Sequence, residues 1–206
     1  VVENNSTTPE IKDYYSQLLG LSGDDSYEER CKLHTVCGHD SGILHSGDGR
    51  ISIVTYHGDF NYSAVNDLGA SYASGEYILL LNNDTEVITA NWMEEMLMYA
   101  QREDVGAVGA KLYYADKTIQ HAGVVIGLGA HRTAGHTHYR IPVQNLGYMG
   151  RLCYTQNVTA VTGACLLVKK SLYEQVGGLD ESFVISLNDV DFCLKVRALG
   201  MLVVYQ

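Results

Sequence analysis

Residues 77–81, Tyr-Ile-Leu-Leu-Leu, run unbroken into Asn82, Asn83 and Asp84. An apolar run of this length, entered through Gly75 and ended by amides and a carboxylate, has the pattern of a strand buried on both faces. Buried strands of this kind sit in sheets covered by helices. Ligands of open α/β sheets bind at the carboxyl ends of the strands, where side chains leaving the tips face a crevice. A carboxylate flanked by amides at such a tip can hold a hard divalent cation and a sugar-phosphate. The same three residues also read as an Asn/Asp turn that only caps the next element.

Strands and helices alternate on both sides of this run. Val1-Val2-Glu3 ends a buried strand and residues 4–7 form the loop at its tip. Thr8 then caps a helix with Pro9 at its first position and Ile11, Tyr14, Tyr15, Leu18 and Leu19 at helical spacing. Glu3 thus stands at a second strand tip, either as an acceptor for a base or ribose or as a solvated loop acid. A β-branched strand follows at 51–56, and Asn61 caps a helix that turns Ala64, Val65, Leu68 and Tyr72 inward. Beyond Asp84, residues 91–102 predict a helix in which Trp92 either stacks on a sugar or joins the core stripe of Met96, Leu97 and Tyr99.

The second half continues with a strand at 105–112, hairpin material at 118–128 and a long strand at 158–168 interrupted at Thr162-Gly163. Gly163 permits close backbone approach or a bulge beside the site. A short helix at 170–176 closes on Gly177-Gly178, a helix from Asn188-Asp189 runs to about Ala198, and a strand ends the chain at 201–205. The order predicts an α/β sandwich with a largely parallel sheet. Two stretches resist assignment. Residues 22–50, with Asp24-Asp25, read as an irregular surface excursion, and 129–151, with His131, His136 and His138, as a loop that could contact an acceptor. Exposed loop positions account for these histidines better than a metal site does.

At 206 residues the chain fits one domain. Fourteen basic against 24 acidic residues, a net charge of −10, exclude nonspecific attraction to nucleic acid or an anionic membrane surface. No apolar run approaches the roughly 18 residues of a membrane span, and no leader pattern is present. The five cysteines are odd in number and widely spaced, which suits reduced thiols in a cytoplasmic protein. Cys31 and Cys37, with His34 and His39, match no standard zinc spacing. Val1 in place of Met is expected of a chain that begins inside a longer protein.

Three segments, in order, resemble the inverting glycosyltransferases of family 2 with the GT-A fold. They are Val-Val-Glu-Asn-Asn-Ser-Thr at 1–7, Leu-Leu-Leu-Asn-Asn-Asp-Thr at 79–85, and Val-Thr-Gly-Ala-Cys-Leu-Leu-Val at 161–168. The last runs on to Val-Gly-Gly-Leu-Asp-Glu-Ser-Phe at 176–183 and Asn-Asp-Val-Asp-Phe-Cys-Leu-Lys at 188–195. The resemblance implies a single, partial GT-A domain over 1–206: a three-layer sandwich on a mostly parallel mixed sheet. The family's first strand is expected before Val1, and a metal-site histidine beyond Gln206. A sheet short of that strand could borrow an edge from a second copy, so a homodimer is an open expectation.

Residue by residue, Glu3 falls where the family has an Asp that contacts the base, with Asn5 beside it. Asn82-Asn83-Asp84 falls on the Asp-x-Asp motif, which implies nucleotide contacts from Asn82 and Asn83 and a metal ligand, for Mg²⁺ or Mn²⁺, in Asp84. Asn188-Asp189 falls on the Glu-Asp motif, making Asp189 the implied catalytic base; read without the resemblance, Asp189 is an ordinary helix-capping carboxylate. Trp92, Gly163, Asn188 and Asp191 are candidates on the acceptor side. The implied activity is metal-dependent inverting transfer from a nucleotide-diphosphate sugar, UDP- or dTDP-linked, to a saccharide or lipid-linked hydroxyl. It belongs to bacterial surface polysaccharide synthesis, in the cytoplasm or peripherally at the inner face of the membrane. The alternative is an inactive nucleotide-binding or structural module, to which the amides at both acidic motifs point.

Overall fold

A computed structural model describes residues 1–21, 30–31, 33–128 and 132–206, so Asp24, Asp25 and His131 lie outside the described residues. The chain divides into two compact units, Val1–Ala73 and Ser74–Gln206, each with its own principal sheet.

The first unit runs β1 (Val2–Asn4), α1 (Pro9–Leu19), β2 (His34–Val36), β3 (His39–His45), β4 (Ser52–Tyr56) and α2 (Tyr62–Tyr72). Its sheet has the order β1-β4-β3-β2. Strand alternation sorts the core onto two faces: Ile53 packs with Tyr15 and Leu19 of α1, while Val54 and Tyr56 pack with Ala64 and Leu68 of α2. Pro9 opens α1 and Gly20, left-handed at φ 68°, closes it; the Thr8 side chain makes no capping bond. Asn61 does cap α2, its side chain accepting the Ala64 N–H at 3.2 Å.

Residues 34–45, expected to be irregular, instead form β2 and β3 and extend this sheet. Cys37 and Gly38 both have positive φ, the requirement of a two-residue primed hairpin turn. The edge strand β2 is largely exposed, so His34 and Thr35 lack the apolar alternation that identifies a strand in sequence.

The second unit runs β5 (Tyr77–Leu81), α3 (Trp92–Ala100), β6 (Val105–Gly109), β7 (Leu112–Tyr113), β8 (Ile119–His121), β9 (Val124–Ile126), β10 (Ala134–His136), β11 (Gln156–Val158), β12 (Cys165–Lys169), α4 (Lys170–Gln175), α5 (Asn188–Ala198) and β13 (Leu202–Tyr205). Its main sheet has the order β11-β13-β6-β12-β5, and β7 with β8 and β9 with β10 form two small hairpin sheets. Met96 and Ala100 of α3 pack on Val105, Val108, Cys165, Leu167 and Val204. Strand β6 is buried along its whole length. Its glycines are a packing requirement, since a Cβ on Gly106 would come 2.3 Å from Val196 of α5 and one on Gly109 2.4 Å from Val161.

The expectation of a largely parallel sheet is corrected. The parallel pairings are β1 with β4 and β6 with β13. Strand β12 lies antiparallel between β5 and β6, β11 is antiparallel to β13, and β3 is antiparallel to both neighbours. Short turns and the return through 159–164 reverse the chain where helical crossovers would have kept its direction. Those same residues split the expected strand at 158–168 into β11 and β12, with Cys165 N–H bonded back to Thr162 O at 3.4 Å. Among the described residues no helix is long and apolar enough to cross a membrane.

Candidate active site

In the first unit the tip of β1 opens on a cleft of about 180 Å³ lined by Glu3, Tyr15, Cys31, Thr55 and His57 among others. Glu3 is 7% exposed. Its Oε1 accepts the Ser6 N–H at 2.5 Å, and its Oε2 accepts the hydroxyls of Ser6 at 2.6 Å and Tyr15 at 3.0 Å. The carboxylate thereby clamps the loop after β1 to α1 while keeping acceptor capacity toward the cleft. Asn5, at φ 54°, donates from Nδ2 to Gly58 O at 3.0 Å. Asn4 makes the matching bonds to Tyr56 O and Gly58 O.

In the second unit both acidic motifs meet one backbone segment, 162–164. Asn82 N–H donates to Ala164 O at 3.0 Å, which ties the tip of β5 to the start of β12. One residue earlier, Gly163 N–H donates to Asp189 Oδ2 at 3.0 Å, and Asp189 Oδ1 accepts the Val190 N–H at 2.8 Å. Asp189 is thus held on both oxygens at the head of α5, with further lone pairs available to a substrate proton. Gly163 is buried at the point of closest approach. Asp84 and Asn83 are exposed at the tip of β5, and the Thr85 hydroxyl closes the turn by donating to Asn82 O at 2.8 Å.

The remaining candidates have structural partners. Asn188, 3% exposed, accepts the Asp189 N–H on Oδ1 at 2.8 Å and donates from Nδ2 to Phe183 O at 3.4 Å. It steadies the chain where Leu187 takes a left-handed φ of 69°. Asp191 pairs with Lys195 at 2.8 Å, one helical turn on. Trp92 packs against the hydrophobic cluster of Met96 and Val108.

His121 and His136 form a pair that the sequence did not announce. His121 is fully buried and its Nδ1 lies 2.9 Å from His136 Nδ1. His136, expected as an exposed loop residue, is half-buried on β10. Burial, with His136 adding a smaller effect, drives the His121 pKa down to about 3. Burial also lowers that of His136, against the opposing charge of Asp189. The only signal in the sequence was two histidines, each beside small residues, in His-Ala-Gly at 121–123 and Ala-Gly-His at 134–136.

For a divalent cation the fit is specific in kind. Among the described residues no group of three or more His, Cys, Asp or Glu could hold a metal. The exposed Asp84 carboxylate offers a single hard oxygen ligand. That is the donor set of a Mg²⁺ or Mn²⁺ ion bound by one or two carboxylates and completed by substrate phosphates and water.

Residues 41–177 match the family model for glycosyl transferase family 2. The chain is similar to protein y4gI of Sinorhizobium fredii, 48% identical over 160 residues, covering 77% of this chain and 17% of that protein. It is 41% identical over 158 residues to the O-antigen biosynthesis protein RfbC of Myxococcus xanthus, covering 76% of this chain and 12% of RfbC. Similarity to a low-salt glycan biosynthesis hexosyltransferase of Haloferax volcanii is 22% over 205 residues, 96% of this chain and 60% of that one. The chain therefore spans less than two thirds of each of these relatives. A crystal structure of GalNAc-T7 with UDP, GalNAc and Mn²⁺ superposes with a TM-score of 0.64 at 11% identity, covering 99% of this chain and 35% of that one. That likeness shows the GT-A fold.

Proposed function

Because the chain belongs to glycosyl transferase family 2, we propose that it transfers a sugar, with inversion, from a nucleotide-diphosphate sugar to a hydroxyl acceptor in the assembly of a bacterial surface polysaccharide. The observation that carries this reading is the 162–164 segment, bonded at Ala164 to the tip of β5 and at Gly163 to Asp189. Neighbouring residues of one stretch of backbone thus bond Asn82 and Asp189, which supports reading the two motifs as parts of one site.

In the proposed reaction the acceptor oxygen forms its bond to the anomeric carbon as the bond from that carbon to the diphosphate oxygen breaks. Asp189 takes the acceptor's proton, and the electron pair leaves with the nucleoside diphosphate. Asp84 would hold a divalent cation, which when bound offsets charge gathering on the diphosphate. Asn82 and Asn83 supply amide contacts to the nucleotide at the same strand tip. In the first unit, the cleft at Glu3 and Asn5 suits a heterocyclic base. Residues 132–151 would meet the acceptor, and the use of nucleotide sugars places the reaction on the cytoplasmic side. RfbC, whose name carries O-antigen biosynthesis, supports the polysaccharide context.

The test is titration calorimetry of UDP, dTDP and GDP, each with Mn²⁺ and with chelator, on the full-length protein and its Asp84→Ala variant. Metal-dependent binding of one nucleotide, lost in the variant, is expected. Binding that is absent for all three, or indifferent to both metal and Asp84, overturns the donor assignment and leaves a structural module.

A further inference from the structure

The hydrogen bonds around His121 fix where the protons sit on both rings of the histidine pair. His121 Nε2 lies 3.3 Å from the Gly123 nitrogen and 3.4 Å from the Thr162 nitrogen. Both are backbone N–H donors, so Nε2 is bare and accepting, and the proton of the neutral ring is on Nδ1. His121 Nδ1–H therefore donates to His136 Nδ1, with the rings edge-on at 85° and centroids 5.1 Å apart. His136 Nδ1 is then the acceptor, and its proton belongs on Nε2. A second proton on either ring would set two N–H groups against each other or against a backbone donor, so the pair is built to stay neutral.

The pair reaches Asp189 through the backbone. Thr162, bonded to His121 Nε2, immediately precedes Gly163, whose N–H holds Asp189 Oδ2. The Asp189 charge opposes the effect of burial on His136. Behind His121 lies Tyr205 of β13, ring centroids 6.5 Å apart. A histidine buried only to fill the core accounts for His121. It does not account for a half-buried partner whose ring nitrogen selects the tautomer that the Thr162 N–H requires.

We propose that the His121–His136 pair positions Asp189 for catalysis: His136 Nδ1 holds His121 in the tautomer whose bare Nε2 accepts the Thr162 N–H, and this pins the backbone that presents Gly163 N–H to the carboxylate. This rests on the reading of Asp189 as the base. His121 and His136 are positioning residues, acting through Asp189 rather than on the sugar.

The experiment compares His136→Leu with His136→Asn in the full-length protein, alongside Asp189→Ala. An asparagine amide oxygen can accept the His121 Nδ1–H from the place of His136 Nδ1, whereas leucine offers no acceptor. His136→Leu is expected to lower kcat by ~10- to 100-fold, the range for outer-shell partners, with the donor KM unchanged, and His136→Asn to keep most of the wild-type rate. Equal losses in both variants, or none in either, overturn the proposal. A second measurement needs no turnover: at about pH 7.5 the ring ¹⁵N shifts are expected to report the Nδ1–H tautomer of His121 and the Nε2–H tautomer of His136, and the opposite tautomer on either ring overturns the proposal. If Asp189→Ala keeps wild-type transfer, the base reading fails and this proposal with it. If Asp189→Ala is dead while both His136 variants run at the wild-type rate, only the pair's role fails.

Discussion

Glu3 and Asp84 are both acids at strand tips, one in each unit, yet the chain treats them in opposite ways. Glu3 is buried and accepts three hydrogen bonds from Ser6 and Tyr15. Asp84 is exposed beyond the tip of β5, where the turn is closed by Thr85 and the Asn82 carbonyl. A carboxylate removed from water must be repaid by donors of the protein itself, and those donors then depend on it for their own satisfaction. An exposed one keeps its lone pairs for whatever arrives. The first unit's acid therefore maintains the shape of a cleft, and the second unit's acid is available for chemistry. Asp189 stands between these cases, held by two backbone N–H groups but with acceptor capacity left over.

The contrast is tested hardest at Asp189. Asp189→Asn keeps an oxygen for one backbone N–H and removes the proton acceptor. Transfer by the full-length protein is expected to fall by ~10²- to 10⁴-fold, the usual contribution of a general base, while Tm falls by no more than the loss of one backbone hydrogen bond at a half-buried site, about 1 kcal/mol, accounts for. A large fall in Tm would mean that Asp189, like Glu3, is chiefly a structural acid. Asp84→Ala comes next. Because nothing in the turn leans on its carboxylate, the variant is expected to lose metal-dependent nucleotide binding by roughly 10-fold or more with thermal stability unchanged, read by calorimetry beside a melting curve.

Glu3→Gln sharpens the comparison from the other side. The neutral amide keeps one oxygen but puts an NH₂ donor where Oε2 or Oε1 had accepted, so at least one of Ser6 and Tyr15 loses its partner. A cost of about 1.5–3 kcal/mol is expected, in the range for hydrogen bonds to charged groups, visible in chemical denaturation and in faster amide exchange of α1. Weakened nucleotide binding without any stability loss would make Glu3 a free ligand group and erase the distinction from Asp84.

These differences mark what was legible in the sequence. The apolar run at 77–81, the Asn61 cap, Pro9 opening α1, and the helix from Asn188 were readable because each is set by local pattern or backbone chemistry. Strand direction was not, since β12 enters its sheet antiparallel through a turn at 162–164 whose only trace is Thr162-Gly163. Nor was the hairpin of β2 and β3, because an edge strand exposed to water has no need of apolar alternation. At the site, Asp84 and Asp189 could be named from motif position, but the hold of Gly163 on Asp189 and the meeting of His121 with His136 join residues 26 and 15 positions apart. Tertiary hydrogen bonds at such separations leave no period to find.

The smallest effect concerns pH, and it lies in the second unit. The His121 pKa falls from 6.5 to about 3 because burial disfavours the charged ring. The sign follows from proton counting: between those two values the unfolded chain binds a proton that the folded chain refuses, so stability is complete above about pH 6.5 and is lost as pH falls toward 3. Lowering the pH from 7.5 to 5.5 is expected to cost about 1.4 kcal/mol through this one group. His136, also lowered by burial, adds in the same direction. Native-state amide exchange at the two pH values should show the loss in β8 and β12, and His121→Gln should remove most of it, since an amide takes up no proton in either state. Equal acid sensitivity in the variant would mean that the imidazole takes up its proton in the folded state as readily as in the unfolded one, and the pair could not then be the neutral proton arrangement that its hydrogen bonds describe.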